Sequence, residues 1–362
     1  MIKINLEQVC FSLNNNCNKN CNDCYVDCSA HNTRSVSIED ISLFLDFIIA
    51  NNESTNNEIS IDFMGGEMSE YPDLDKLATI LKQKLGQFKI IDMRVTTYAE
   101  ESKNLEDFVS SMIDVVDRVR YFIIRDLKNG LDYNTIKYVE NVSNIDKKVS
   151  PTVEHVLRPV DIHQFHKLLK LAYENEFISL DICYPCGDKD FTKDQLEQLC
   201  EIYRDFLVKT NYNEASNITS FGVRSSMFPI EDIHHVLIRM QRDNKESHCK
   251  PFTSEIWLSP SGNIFPCAHM IKYDSYFEYN NIRILTLDKT KYFSNKLNNL
   301  FNVDINDVEC CECSMKDFCL QCKILPEIVD LKNLNNVNKP TDKCRRVYDH
   351  VKSYIEVIYY GN

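Results

Sequence analysis

The stretch Cys17-Asn18-Lys19-Asn20-Cys21-Asn22-Asp23-Cys24 spaces three cysteines as C-x3-C-x2-C, on a loop that follows the first apolar segment, Met1 to Leu13. Three thiolates this close can hold three irons of a [4Fe–4S] cluster, whereas such clusters normally take four cysteines. The fourth iron is then open to a ligand that is not protein, as the open position of a catalytic metal site is. Cys28 extends the run to C-x3-C-x2-C-x3-C, close to a ferredoxin run or a structural zinc site. Ferredoxin spacing, however, wants two residues rather than three between the first two cysteines.

Around this loop the chain alternates apolar strands with amphipathic helices. Strands are predicted at 6–13, 57–63, 89–97, 119–125, 147–153 and 177–183, and helices at 37–51, 73–86, 104–117, 131–143, 161–175 and 192–210. Ser37-Ile38-Glu39-Asp40 has the form of a capping box before Ile41, Phe44, Leu45 and Ile48, and Asp73 and Thr192 stand where they can cap two further helices. Six β-then-α units imply parallel strands joined by right-handed crossovers. The sheet is then either doubly wound or a curved partial barrel, and in both cases ligands gather at the C-terminal ends of the strands. The chemically suggestive residues fall at those ends: the cysteine loop, Met64-Gly65-Gly66-Glu67, Thr96-Thr97-Tyr98, Arg125-Asp126, Ser150-Pro151-Thr152 and Cys183-Tyr184-Pro185-Cys186-Gly187. Two glycines let backbone approach a ligand without a Cβ, and a carboxylate beside them can receive an ammonium group.

Composition narrows the class. A chain of 362 residues with 43% hydrophobic content has room for two domains or one large barrel with an appendage. A net charge of −13 argues against nucleic acid or an anionic membrane surface as the main partner. No apolar run of about 18 residues or more occurs, so no membrane span is expected. The start, Met-Ile-Lys-Ile-Asn-Leu-Glu-Gln, lacks a secretory pattern, and a cytoplasmic location is expected. Sixteen cysteines in such a chain read as metal ligation rather than disulfides. The histidines show no helical metal-binding spacing, and His234 and His235, being adjacent, would point apart.

The cysteine triplet together with Gly65-Gly66-Glu67 resembles the signature of the radical S-adenosylmethionine (SAM) enzymes. In that family the open iron chelates the amino and carboxylate groups of SAM, and reductive cleavage gives methionine and a 5′-deoxyadenosyl radical that takes hydrogen from the substrate. The resemblance implies that Cys17, Cys21 and Cys24 hold the cluster and that Gly65, Gly66 and Glu67 hold the methionine end of SAM, with Thr97 and Asp126 as further cofactor contacts. Three departures stand out. Asp23 fills a place usually aromatic, Met68 follows the Gly-Gly-Glu where Pro is usual, and Ile124 sits where a Ser commonly reaches the ribose. Asp126 or Arg125 could substitute for that Ser.

From Cys249 the chain changes character. Cys249-x12-Gly262-x4-Cys267, Cys310-x2-Cys313-x5-Cys319-x2-Cys322 and Cys344 resemble the seven-cysteine SPASM domain, which carries two auxiliary [4Fe–4S] clusters. A pair of zinc knuckles is the alternative. By this resemblance Cys310, Cys313, Cys319 and Cys344 hold the outer cluster, and Cys249, Cys267 and Cys322 hold the inner one. Asp243 stands where relatives have the fourth inner cysteine, so the resemblance leaves an iron open to a substrate thiolate or to a residue such as His248 or Asp243, the alternative being that a loop cysteine fills it. The segment 256–267 reads as a β-hairpin around Pro260-Ser261-Gly262-Asn263. Cys183 and Cys186 could donate a hydrogen atom or ligate the inner cluster, or be inert core cysteines.

The resemblance thus implies an α/β chain: a partial (β/α)6 TIM-like barrel over 1–212, a bridge over 213–245, a small cysteine-rich iron–sulfur SPASM domain over 246–347 and a C-terminal helix over 348–362. It implies an enzyme, a radical SAM oxidoreductase with SAM and three [4Fe–4S] clusters. Such an enzyme would install a thioether or carbon–carbon crosslink in a ribosomally made peptide, a cysteine-containing one fitting the open iron. A reductant such as flavodoxin or ferredoxin would be its partner, with no nucleic acid and no membrane. Anaerobic sulfatase maturation, which makes formylglycine, is the alternative, and an iron–sulfur electron-transfer or binding protein is the alternative of another class.

Overall fold

The structure, a computed structural model, describes residues 6–19, 24, 26, 28–52, 58–98, 101–125, 133–174, 179–184, 220–225, 255–265, 281–287, 329–330 and 335–336, with single positions between 192 and 205 and at 271 and 274. All six predicted strands are present: β1 (Gln8–Ser12), β2 (Glu58–Met64), β3 (Lys89–Thr97), β4 (Val119–Arg125), β5 (Val149–Val156) and β6 (Ser179–Tyr184). They pair in parallel, each with the next. Between them lie α1 (Ile38–Asn51), α2 (Leu74–Leu85), α3 (Lys103–Met112), α4 (Tyr133–Ser143) and α5 (Phe165–Glu174). Two helices differ from expectation at their ends: residues Ile113–Val115 after α3 and Pro159–Gln164 before α5 tighten into 3-10 turns.

Two features of the sheet were not anticipated. The segment expected to be a bridge contains a seventh strand, β7 (Ser220–Ser225), parallel to β6. The expected hairpin is present as β8 (Glu255–Leu258) and β9 (Ile264–Phe265), joined by a turn in which Gly262 has φ +76°. Instead of standing apart from the first six strands, β8 pairs in parallel with β1, Cys10 opposite Trp257. The sheet order is therefore β7-β6-β5-β4-β3-β2-β1-β8-β9. A further helix, α6 (Ile282–Leu287), packs on α1, where Arg283 meets the Asp40 carboxylate through Nε (2.6 Å) and Nη2 (3.1 Å). A separate two-stranded ribbon joins β10 (Val329–Asp330) to β11 (Asn335–Asn336).

Strand alternation explains where the core sits. Phe11 and Phe63 turn to the helices. Phe11 meets the Phe44 ring edge-on at 5.7 Å and stacks on Phe63 at 5.4 Å, while Phe63 meets Phe108 at 5.5 Å. Burying each such side chain contributes about 2–3 kcal/mol. Tyr121 of β4 and Tyr138 of α4 share this face, their hydroxyls 2.6 Å apart. Burial pushes the pKa of both phenols up. Tyr121→Phe leaves the Tyr138 hydroxyl buried without its partner, and about 1–2 kcal/mol of stability should be lost, read as a lower denaturant midpoint with an unchanged slope.

The helix caps follow the sequence in part. Ser37 caps α1 by accepting the Asp40 N–H at 3.1 Å. Thr192 and Gln195 cap reciprocally, Gln195 N–H donating to Thr192 Oγ1 at 3.3 Å and Thr192 N–H to Gln195 Oε1 at 2.9 Å. Asp73 sits at the start of α2 without a side-chain cap bond, its carboxylate pairing instead with Lys76 at 2.6 Å. Ser102 caps α3, accepting the Leu105 N–H at 3.3 Å. Among the described residues no helix is long and apolar enough to cross a membrane.

Candidate active site

The cysteine loop is closed at its stems. Val36 N–H donates to Leu13 O and Asn15 N–H to Arg34 O, both at 2.9 Å, and Asn14 and Ser35 form an antiparallel bridge. Inside the stem, Ser29 N–H donates to Asn15 O at 3.1 Å and Cys17 N–H to Ser29 O at 3.4 Å. Cys28 N–H donates to Cys24 Sγ at 3.4 Å, the kind of hydrogen bond to sulfur that tunes a cluster's potential. Cys17 is buried, and burial pushes its thiol pKa up, with Glu67 and Cys24 adding to the effect. A thiol in this state is held as a thiolate by a bound cation. Cys21 lies outside the described residues.

The Gly-Gly-Glu segment is stitched to this loop. Gly66 N–H donates to Asn14 O and Glu67 N–H to Asn16 O, both at 2.8 Å, and Asn14 Nδ2 donates to Glu67 O at 3.0 Å. The glycines are what allow the approach. Gly65 has φ +126°, and a Cβ there would lie 2.4 Å from Ser12 Oγ; a Cβ on Gly66 would lie 2.2 Å from Asn14 Oδ1 and 2.4 Å from Asn16 O. Ser12 Oγ and Asn14 Oδ1 are buried and have no hydrogen-bond partner among the described residues.

The Glu67 carboxylate is engaged by the protein. Its Oε1 accepts from Ser69 N–H (3.0 Å) and Thr97 Oγ1–H (2.5 Å), and its Oε2 from Tyr98 N–H (2.6 Å). Glu67 and Thr97 are both buried, so this carboxylate ties the end of β2 to the end of β3. The Tyr98 carbonyl is held in turn by Arg125 Nη1 at 3.3 Å, while Arg125 Nε donates to Thr135 Oγ1 of α4 at 3.0 Å. Arg125 therefore lies on the helix side of the sheet, where it cannot take over a contact at the end of β4 on the opposite face. The chain of partners Glu67–Tyr98–Arg125–Thr135 fixes the ends of three strands.

Of the other sequence-marked residues, Cys183 lies in β6 in register with Val156 and Arg224. Asp126, Cys186, Cys249, Cys267, Cys310, Cys313, Cys319, Cys322 and Cys344 lie outside the described residues. The structure also brings forward residues that the sequence did not single out. On the face of the sheet away from the helices, Arg94 lies 3.9 Å from both Asp62 and Glu154 and sits 4.3 Å over the Phe122 ring. Alternation along β2, β3 and β5 was the available signal, but polar residues inside apolar strands read equally well as solvent-facing.

No protein-family model matches the chain, and no curated protein matches it either. Solved structures do. Native anSMEcpe with bound AdoMet and Cp18Cys peptide superposes with a TM-score of 0.65 at 17% identity, covering 97% of this chain and 96% of that one. Streptococcus suis SuiB bound to precursor peptide SuiA superposes with a TM-score of 0.57 at 16% identity, covering 89% of this chain and 72% of that one. The chain shares its fold with these structures.

Within this fold, the residues present fit an iron–sulfur cluster and a ligand beside it. The loop that carries Cys17 and Cys24 is bonded to a Gly-Gly turn that a Cβ would fill. Among the described residues, no donor reaches two buried oxygen atoms there, on Ser12 and Asn14.

Proposed function

We propose that this chain is a radical SAM peptide maturase that installs a thioether or carbon–carbon crosslink in a ribosomally made peptide. The observation that carries the reading is the stitching of the cysteine loop to Gly66 and Glu67, which joins the two motifs of the resemblance in one site. Cys17, Cys21 and Cys24 would hold a [4Fe–4S] cluster, and Cys249, Cys267, Cys310, Cys313, Cys319, Cys322 and Cys344 two auxiliary clusters. When bound, cluster and SAM supply a strong hydrogen-abstracting species that no amino-acid side chain provides.

The chain's own part is to bind, orient and exclude water. A SAM ammonium group has three N–H donors, and the seam between the loop and Gly65–Gly66 offers acceptors, Asn14 Oδ1 among them. Glu67 acts as the brace of that seam, since its carboxylate oxygens already accept from Ser69, Thr97 and Tyr98. Thr97 contributes through Glu67. Asp126 remains a proposed cofactor contact, and Cys183 and Cys186 proposed participants near the substrate.

Solved relatives with the same fold were crystallised with the Cp18Cys peptide and with precursor peptide SuiA, which supports a peptide substrate here. One observation favours a second reading, sulfatase maturation: the superposition on anSMEcpe is the more extensive of the two. The outcomes differ in mass. A crosslink removes two hydrogens from the peptide, whereas conversion of cysteine to formylglycine also replaces sulfur by oxygen.

The test is anaerobic. Reduced wild type should release 5′-deoxyadenosine from SAM and carry about twelve irons at four per cluster. The Cys17→Ala/Cys21→Ala/Cys24→Ala variant should retain about eight irons and release none. Zinc in place of iron, or intact SAM after reduction of wild type, would leave an electron-transfer or binding protein.

A further inference from the structure

Strand β4 divides its side chains cleanly. Tyr121 and Arg125 reach α4 on the helix side, whereas Phe122 lies under Arg94 on the other face. Ile124, two residues on from Phe122, shares that other face by alternation. It is buried, yet it stands outside the continuous apolar core that includes Tyr121 and Ile123. This is the position where the resemblance calls for a hydroxyl to meet the ribose, and Ile124 has none to give.

Its neighbour does carry a polar group. In the β4–β5 ladder Ile124 pairs with Glu154. Partners in register on parallel strands lie roughly 4.8 Å apart with side chains on the same face. The row is at the rim of the sheet, one residue beyond the Thr97–Ile123 pair, on the side where the cysteine loop and Gly65–Gly66 lie. Asp62, the other carboxylate on this face, belongs to the row of Arg94 and Arg120, two rows deeper. Glu154 is also anchored. The Arg94 guanidinium lies 3.9 Å from Glu154 Oε2 and 3.9 Å from Asp62 Oδ2, its Cζ 4.3 Å from the centre of the Phe122 ring. The Glu154 side chain keeps 14% exposure, so it is neither sealed in nor free in solvent.

We propose that Glu154, from β5, takes over the ribose contact that the end of β4 cannot make, accepting hydrogen bonds from the hydroxyls of the SAM ribose. This rests on the SAM reading above. The chemistry is that of a vicinal diol facing a carboxylate: two O–H donors and two acceptor oxygens, with bonds strengthened by the charge. Arg94 is the positioning residue, fixing the carboxylate from below.

The test measures affinity on oxidised, iron-loaded enzyme, so no turnover is needed. Dissociation constants are taken by equilibrium dialysis for SAM and for its 2′,3′-dideoxyribose analogue. Wild type should prefer SAM, and Glu154→Gln should weaken SAM binding about tenfold while leaving the analogue's binding unchanged. Adding Ile124→Ser to Glu154→Gln restores a hydroxyl at the end of β4 and should recover part of the SAM affinity. Iron content and the thermal transition serve as folding controls. Equal SAM affinity in wild type and Glu154→Gln, or an equal loss for both ligands, would overturn the assignment of Glu154 and leave the SAM reading intact. Wild type that binds no SAM would overturn both.

Discussion

Glu67→Ala is expected to lower folding stability by about 3–5 kcal/mol, the largest effect of any single side chain at this site. The carboxylate is buried and accepts three protein hydrogen bonds, from Ser69 N–H, Thr97 Oγ1–H and Tyr98 N–H. Hydrogen bonds to a charged group contribute about 1.5–3 kcal/mol each, and donors left buried without a partner add a desolvation cost. Partial relaxation and water entry bring the sum down to the range given. Because these bonds join the ends of β2 and β3, iron incorporation at the N-terminal cluster should fall along with stability. Glu67→Gln keeps an acceptor oxygen but adds an NH2 that faces other donors, so it should lie between wild type and Ala. Chemical denaturation of the iron-free protein separates the fold contribution from the metal contribution. If Glu67→Ala unfolds at the wild-type denaturant concentration, the brace assigned to Glu67 is wrong.

Gly66→Ala should have a comparable effect by a different route. The added Cβ would lie 2.2 Å from Asn14 Oδ1 and 2.4 Å from Asn16 O. The first is the end of a side chain that can swing away, but the second is backbone, one residue before Cys17. Relief therefore requires the cysteine loop to move away, which breaks the bonds from Gly66 N–H to Asn14 O and from Glu67 N–H to Asn16 O. Overpacking of this kind costs about 1–3 kcal/mol, and two lost backbone hydrogen bonds add about 1 kcal/mol each. The expected result is a folded but less stable protein that carries about one-third less iron and releases no 5′-deoxyadenosine. Wild-type iron content in Gly66→Ala would show that the loop does not depend on this seam. Gly86, which caps the end of α2 far from the loop, offers a control: Gly86→Ala should leave iron content unchanged.

Much of this was legible in the sequence where physics is local. Apolar periodicity located all six strands, the signal being a face buried against a helix, as Phe11 is against Phe44. Ser37 and Thr192 announced their caps through spacing alone. Strand β7 escaped because Ser-Phe-Gly-Val-Arg-Ser is short and contains glycine and arginine, so its pattern is weak without the neighbouring β6. The pairing of β8 with β1 has no local signal, since the match between Gln8 and Glu255 exists only in the assembled sheet. At the site, residue types pointed to the place but not always to the role. The Glu67 carboxylate was read as a seat for an ammonium group, and in the structure it accepts from Ser69, Thr97 and Tyr98. Arg125 was read either as a stand-in for the missing Ser or as a solvated loop charge, and its side chain lies on the helix side, bonded to Thr135. Glu154 was invisible because its meaning comes from Ile124 on the adjacent strand.

The place of β1 in the sheet also sets an order of events during synthesis. The strand that leads into the cysteine loop is made before the other described strands of the sheet, yet its second hydrogen-bonded edge is completed only by Glu255–Leu258. Until then one side of β1 is an unpaired strand edge, a template for the wrong partner. Contacts separated by so much chain form slowly, because loop closure must precede them. A nascent or truncated chain lacking the hairpin would expose that edge beside its cysteines, and iron delivered before the hairpin docks would meet a site whose supporting strand is still open on one side. Chaperone dependence and aggregation of C-terminal truncations are the practical consequence, and they should be most severe where the chain stops short of Glu255.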